Sequence, residues 1–167
     1  ILKYGLAGSL LLGVGGIGLS LQETKRVASQ KPLQVLSETE FSILYAIANV
    51  LLPATGSFPA AHTVQVAEGV DETLAHSHDE VQTEIKQALL LIENAFAGLV
   101  LDQRTRPFTQ LSQAEQEQAL AAWKNSKIML RRKAFKALNA LCSGAYFAAP
   151  QTHALVGYSG PPQHIVD

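Results

Sequence analysis

The chain has 167 residues and a formal net charge of −1, and its one cysteine is Cys142. This length predicts a single domain, and the near-neutral charge argues against a general nucleic-acid-binding protein, which normally carries a basic excess. A single cysteine excludes an internal disulfide and a C-x-x-C-H haem attachment site.

Two stretches each carry charge of mainly one sign: the middle of the chain is acidic, and a later run is basic with no acid inside it. We interpret most of these charges as solvent-exposed helix faces. The acidic residues are Glu68, Asp71, Glu72, Asp79, Glu80 and Glu84, and the basic ones are Lys124, Lys127, Arg131, Arg132, Lys133 and Lys136.

Residues 1–22 are predicted to form a hydrophobic signal-anchor. Tyr4–Leu21 contains no charged residue, and as a helix it would be about 27 Å long, close to the ~30 Å of a bilayer's hydrocarbon core. Ile1-Leu2-Lys3 is similar to the end of a twin-arginine export signal, so we expect an arginine pair before Ile1. No convincing small-x-small cleavage site follows, which favours an uncleaved anchor.

Glycines in this segment suggest two further interpretations. Gly5, Ser9 and Gly13 recur every four residues, the spacing that lets another membrane helix approach, and we hypothesise such packing. Residues 13–18 also match the dinucleotide-binding pattern G-x-G-x-x-G. We reject that site because no strand precedes the pattern and no βαβ unit follows it.

After a polar tether at residues 23–36, the pattern predicts an all-α domain of about five helices at residues 37–150. Capping boxes at Ser37/Glu40, Ser77/Glu80 and Ser112/Glu115 predict three helix starts. The first helix is apolar nearly all round, so it should be buried centrally, and it ends at Pro53. The other predicted elements are a short helix over Val64–Leu74, a helix from Ser77 to about Leu101 with Val81 in its apolar stripe, a loop over Asp102–Gln110, a helix through Trp123, and a final helix after a break near Asn125-Ser126.

The final helix and the arm after it, residues 151–167, are the candidate partner surface. Phe135, Leu138, Cys142 and Ala145 align on one helical face, and Pro150 ends the helix. Gly157–Pro162 should form a defined turn, and its aromatic neighbours would supply contact area to a partner. We favour this interpretation over an arm that closes as a lid above Leu141 and Ala145. Cys142 is predicted either to pack in the core, which we favour narrowly, or to form an intermolecular disulfide.

Catalytic and metal sites find little support in the pattern. His76 and His78 lie two residues apart, so they do not share a helix face, and the acids after them suit a helix start. Ser159 is not in a nucleophile elbow, and His153 and His164 have no evident catalytic partner.

Two segments carry a resemblance to a known family. Leu36–Pro53, LSETEFSILYAIANVLLP, and the stretch Arg131–Pro162, with its Gly-Ala-Tyr-Phe-x-x-Pro and GYSGPP motifs, resemble the gluconate 2-dehydrogenase subunit 3 family. Members are small all-helical subunits that accompany a GMC-type flavoprotein dehydrogenase and a cytochrome c. The resemblance implies a non-catalytic role in folding, export and membrane attachment of the catalytic subunit, with FAD and haem c in partner subunits and no cofactor in this chain.

The resemblance implies a location at the periplasmic face of the bacterial inner membrane. The near-neutral charge predicts no nucleic-acid partner. The alternative is a membrane-tethered helical spacer in another respiratory or photosynthetic electron-transfer assembly, and an independent enzyme is a distant third. The residues assigned to partner binding are Phe135, Cys142, Tyr146, Phe147, Tyr158, Pro161 and Pro162.

Overall fold

A computed structural model describes residues 24–94 and 106–158. Within these ranges the only extended pairing is an isolated bridge between Thr55 and Phe58, so the predicted all-α fold is confirmed. The helices are α1 (Glu38–Leu51), α2 (Val66–Ala75), α3 (Asp79–Glu93), α4 (Gln113–Lys124), α5 (Met129–Ala148) and α6 (Pro150–His153), with 3-10 turns at Phe108–Gln110 and Ala154–Val156.

The predicted signal-anchor, its Gly5, Ser9 and Gly13 and the rejected glycine motif lie outside the described residues. Among the described helices, none combines the length and apolar character needed to cross a membrane.

Helix α1 lies at the centre of the domain, as its apolar sequence predicts. Its capping box is formed: the Glu40 N–H donates to Ser37 Oγ, and the Ser37 N–H donates to the Glu40 carboxylate. The helix contacts α2, α3, α4 and α5. Because neighbours surround it, side chains on several of its faces are fully buried, namely Phe41, Ile43, Leu44 and Ile47.

Helices α2 and α5 form the most extensive helix–helix contact of the described domain. A Cβ atom placed on Gly69 of α2 would lie 3.3 Å from Cβ of Ala145 on α5. The absence of a side chain at Gly69 therefore lets the two backbones approach closely. Leu74 of α2 and Leu138 and Cys142 of α5 are all buried in the core.

Helix α4 also begins with its predicted capping box, Ser112 with Glu115. The predicted break near Asn125-Ser126 is confirmed, since α4 ends at Lys124 and α5 begins at Met129. Arg131 spans this break from the first turn of α5: it is buried, and its guanidinium carbon lies 5.0 Å from the centroid of the Trp123 ring on α4. This cation–π contact fixes the start of α5 against the end of α4.

Four predictions about α2 and α3 need correction. Helix α3 begins at Asp79 with His78 as its N-cap and no side-chain cap bond, because the Ser77 hydroxyl donates to the Thr73 carbonyl of α2 instead. The backbone of Asn94 is extended, so α3 ends at Glu93 and does not continue unbroken to Leu101. Val81 is exposed rather than part of the core-facing stripe. Helix α2 starts at Val66, two residues after the predicted Val64.

Two acids assigned to a solvent-exposed face, Glu68 and Asp71 on α2, are buried. The Asp71 carboxylate accepts hydrogen bonds from the N–H groups of Gln34 (2.7 Å), Val35 (3.1 Å) and Leu36 (2.8 Å). Glu68 accepts one from the N–H of Gln30, at 3.3 Å. The exposed-face prediction is wrong for these two residues, because each offers an acceptor to backbone N–H groups that have no strand or helix partner.

The described part of the predicted tether lies against the helices. Besides its bonds to α2, the Val27 N–H donates to Ser42 Oγ of α1 at 2.9 Å, and the Lys25 N–H donates to Thr109 Oγ1 at 3.0 Å. Thr109 is held in turn by the buried Glu93, which accepts from its hydroxyl and its N–H. Residues 25–36 therefore form a docked segment that is hydrogen-bonded to three separate elements.

Replacement of Asp71 tests this docking. Asp71→Asn exchanges one acceptor oxygen for an amide donor that faces backbone N–H groups, so we expect a loss of about 3 kcal/mol in the free energy of unfolding. Urea unfolding followed by circular dichroism measures it. The matched control is Glu72→Gln, whose exposed carboxylate pairs with Lys31, and it should leave the midpoint almost unchanged. Equal effects of the two changes would contradict the structural role of Asp71.

Candidate partner interface

The residues assigned to partner binding separate into buried and exposed groups. Cys142 and Tyr146 lie in the core rather than on the surface, and Phe135 is half-buried against the core. Phe147 and Tyr158 are 48% and 49% exposed. Pro161 and Pro162 lie outside the described residues. Of the assigned set that the structure describes, Phe147 and Tyr158 are therefore the two with large exposed aromatic faces.

Tyr146 joins the final helix to the loop after α1. Its hydroxyl donates to the Pro59 carbonyl at 2.7 Å, 87 residues earlier in the chain. Its ring meets Phe147 edge to face, with 5.3 Å between the centroids. Tyr146 thus has a defined role inside the domain, and its ring contact fixes the position of the Phe147 ring.

The arm after α5 folds into a compact corner. The backbone at Ala149 leaves the helix, and Pro150 occupies the first turn of α6, where its missing N–H costs nothing. The hydroxyl of the fully buried Thr152 lies 2.8 Å from both the Tyr146 and the Ala149 carbonyl oxygens. These bonds tie α6 to the end of α5.

The corner ends in a second aromatic contact. Gly157 adopts the left-handed conformation with φ 69°, which favours glycine. The chain then turns back so that the Tyr158 N–H donates to the His153 carbonyl at 2.9 Å and the two rings meet edge to face at 5.1 Å. Most of the predicted Gly157–Pro162 turn, with Ser159, and also His164, lie outside the described residues.

Three exposed apolar side chains at this end of α5 define what we call the C-terminal patch: Phe147, Val156 and Tyr158. The corner's main contacts are with α5. Ala145, which a lid would have covered, packs against Gly69 of α2. Exposed aromatic rings that are each already fixed by a ring contact have the properties of an interface anchor, because little side-chain entropy is lost on binding.

A second exposed apolar cluster lies at the other end of α5, and the sequence reasoning missed it. We call it the basic tip: Ile128, Met129 and Leu130, with the exposed Lys124, Lys127 and Lys133 around them. The signal that could have revealed it is three consecutive apolar residues at a helix start, since an amphipathic helix that faces a core spaces its apolar residues three and four apart.

In the described ranges the histidines do not come together as ligands of a metal site. No group of three or more His, Cys, Asp or Glu side chains is placed to hold a metal ion there. His76 Nδ1 lies 2.8 Å from the Glu72 carbonyl oxygen, and His78 is the exposed N-cap of α3. His62 Nδ1 lies 2.8 Å from Asn49 Oδ1 on the surface.

Cys142 is a free, fully buried thiol, and burial raises its pKa to about 12. A thiol-specific reagent at pH 8 should therefore fail to label the folded chain and should label it once it is unfolded, because the thiolate is the reactive form. Rapid labelling of the folded chain would contradict this placement.

The same raised pKa predicts a loss of stability at high pH. The folded state keeps the Cys142 proton while the unfolded chain, with a thiol pKa near 9, releases it, so the contribution is complete below pH 9 and declines between pH 9 and about 12. The full decline is about 4 kcal/mol. Unfolding curves across this range should show it in the wild type and lack this part in Cys142→Ala. Parallel curves would refute the assignment.

Comparison with known proteins places these features in a family. A sequence model described as Gluconate 2-dehydrogenase subunit 3 matches residues 38–160, which include α1 to α6 and the described C-terminal patch. Searches of curated proteins and of solved structures returned no match. Since the match extends over most of the chain, the protein belongs to the gluconate 2-dehydrogenase subunit 3 family.

Proposed function

We propose that this protein is a non-catalytic accessory subunit of a periplasmic, membrane-bound flavin-dependent dehydrogenase complex. It binds the GMC-type flavoprotein subunit, assists its folding and export, and holds it at the inner membrane, where a cytochrome c subunit can join the complex. FAD and haem c belong to those partners. The observation that carries this proposal is the exposed aromatic C-terminal patch on a chain of this family.

The use of the buried polar groups supports a structural role. Asp71 and Glu68 bind the docked segment, and Glu93 binds Thr109. Ser42 bonds to Val27 and Glu38, and Thr152 bonds to the end of α5. Each of these buried side chains holds a backbone segment or another side chain of the same chain. A catalytic site instead requires polar groups aimed at a substrate.

The C-terminal patch supports the choice of a protein partner. Phe147 and Tyr158 each make an edge-to-face contact that fixes the ring, and about half of the surface of each residue is exposed to solvent. Large, fixed aromatic rings dominate the binding energy of many protein interfaces. The flavoprotein subunit would cover these rings.

Co-purification with the flavoprotein tests the patch. The double variant Phe147→Gln/Tyr158→Gln should lower the amount of flavoprotein retained on the tagged subunit by about tenfold or more, because it removes two aromatic anchors. Its helix content should stay unchanged, since surface substitutions have small effects on stability. The matched control is Val81→Gln, an exposed apolar position on α3. Retention equal to that of the control would reject the patch as the interface.

The export role has a separate test. The proposed route carries folded proteins, so a flavoprotein without its own signal can travel while bound to a subunit that carries one. Deleting residues 4–21 should leave both proteins in the cytoplasm, as measured by cell fractionation and immunoblotting. If the flavoprotein still reaches the periplasm, the escort role is wrong. If, in that case, the flavoprotein's export still requires an intact C-terminal patch, then the two proteins are exported together and another subunit supplies the signal.

A further inference from the structure

The basic tip presents the most exposed large apolar side chains of the described chain. Met129 and Leu130 are 61% and 60% exposed, and Ile128 is 47% exposed. They follow one another at the N-terminal end of α5, beside the connection from α4. Exposure of three adjacent apolar residues indicates an interaction surface that a partner or a membrane covers.

The shape of the tip decides between kinds of partner. Successive residues of a helix point about 100° apart, so adjacent apolar residues at a helix start spread around its axis rather than forming one stripe. A protein groove that binds a helix contacts a stripe of residues spaced three or four apart. A membrane surface, in contrast, has no fixed groove, and it binds exposed apolar side chains that have basic residues beside them.

The charge around the tip is entirely positive along the chain. Lys124 and Lys127 precede the apolar residues, Lys133 lies one turn after Met129, and all three lysines are exposed. The sequence contains no Asp or Glu between Glu117 and Asp167. Lysines around an apolar insertion complement the anionic headgroups of a lipid surface. They also repel the same surface on a second copy of this chain.

The tip is held rigidly by its polar neighbours. The Ile128 N–H donates to Ser126 Oγ at 3.1 Å, and the Arg132 guanidinium donates to the Ser126 carbonyl. The buried Arg131 makes its cation–π contact with Trp123 of α4 beside these residues. Binding therefore requires little ordering of the connection between α4 and α5, which favours association.

We propose that the basic tip docks on an anionic membrane surface, with Met129 and Leu130 inserted at headgroup depth and Lys124, Lys127 and Lys133 against lipid phosphates. This surface is separate from the C-terminal patch. Met129 and Phe147 are 18 residues apart on α5, which is five helical turns, so they lie on the same side of the helix about 27 Å apart. The tip can contact lipid while the patch binds a protein.

A fluorescent probe at position 129 tests this proposal in the full-length chain. Met129→Cys can be labelled selectively with an environment-sensitive dye, because Cys142 is buried and unreactive. The labelled chain is mixed with vesicles of phosphatidylcholine, with or without phosphatidylglycerol, that contain doxyl-labelled lipid as a quencher. We expect a blue shift and about threefold stronger quenching when phosphatidylglycerol is present.

The matched control places the same dye at Glu84→Cys, an exposed position in the acidic part of α3. The N-terminal segment is the same in both variants, so any membrane binding that it causes affects them equally. Adding Lys127→Gln and Lys133→Gln to the Met129→Cys chain should remove most of the extra quenching. Quenching at position 129 no greater than at position 84 would overturn the proposal. So would shielding of position 129 by the flavoprotein but not by lipid, which would assign the tip to a protein interface.

Discussion

The carboxylate of Asp71 is the interaction on which the arrangement of the first half of this domain depends. It accepts three consecutive backbone N–H groups, from Gln34 to Leu36, just before the cap of the central helix α1. These N–H groups lie at a bend before α1 that forms no helix or sheet pairing, so without Asp71 they would lose their partners beside the buried Leu36. The bond therefore sets where α1 begins relative to α2. Helix α2 in turn packs against α5 through Gly69.

The contrast among the three capping boxes shows how far the sequence could predict this fold. Ser37/Glu40 and Ser112/Glu115 form as expected, since each serine follows non-helical backbone and its hydroxyl is available to the new helix. Ser77 has the same spacing to Glu80, but it comes immediately after α2, and its hydroxyl bonds to the last turn of that helix. A short-range pattern predicts a cap only when no nearer backbone group competes for the side chain.

Long-range contacts explain most of the remaining differences. Nothing near Glu68 or Asp71 in the sequence identifies their partners, which lie more than 30 residues earlier. The partner of the Tyr146 hydroxyl, the Pro59 carbonyl, is likewise distant in the sequence. For the candidate interface, the sequence grouped Phe147 and Tyr158 with Tyr146 and Cys142, and only the packing separates the two exposed rings from the two buried side chains. The basic tip was not predicted because the basic residues around it indicated an ordinary solvent-exposed helix face.

The docked segment connects the fold to the proposed export role. Residues 25–36 follow directly after the predicted signal-anchor, and their N–H groups bind to α1, α2 and the Phe108–Gln110 turn. Each of these acceptors is in place only when the helices have packed, because Ser42, Asp71 and Thr109 come from distant parts of the chain. In an unfolded subunit the segment would be free, and in a folded one it is fixed. The proposed signal would thus precede a segment that is fixed only when the domain has folded, which fits the proposed export route for folded cargo.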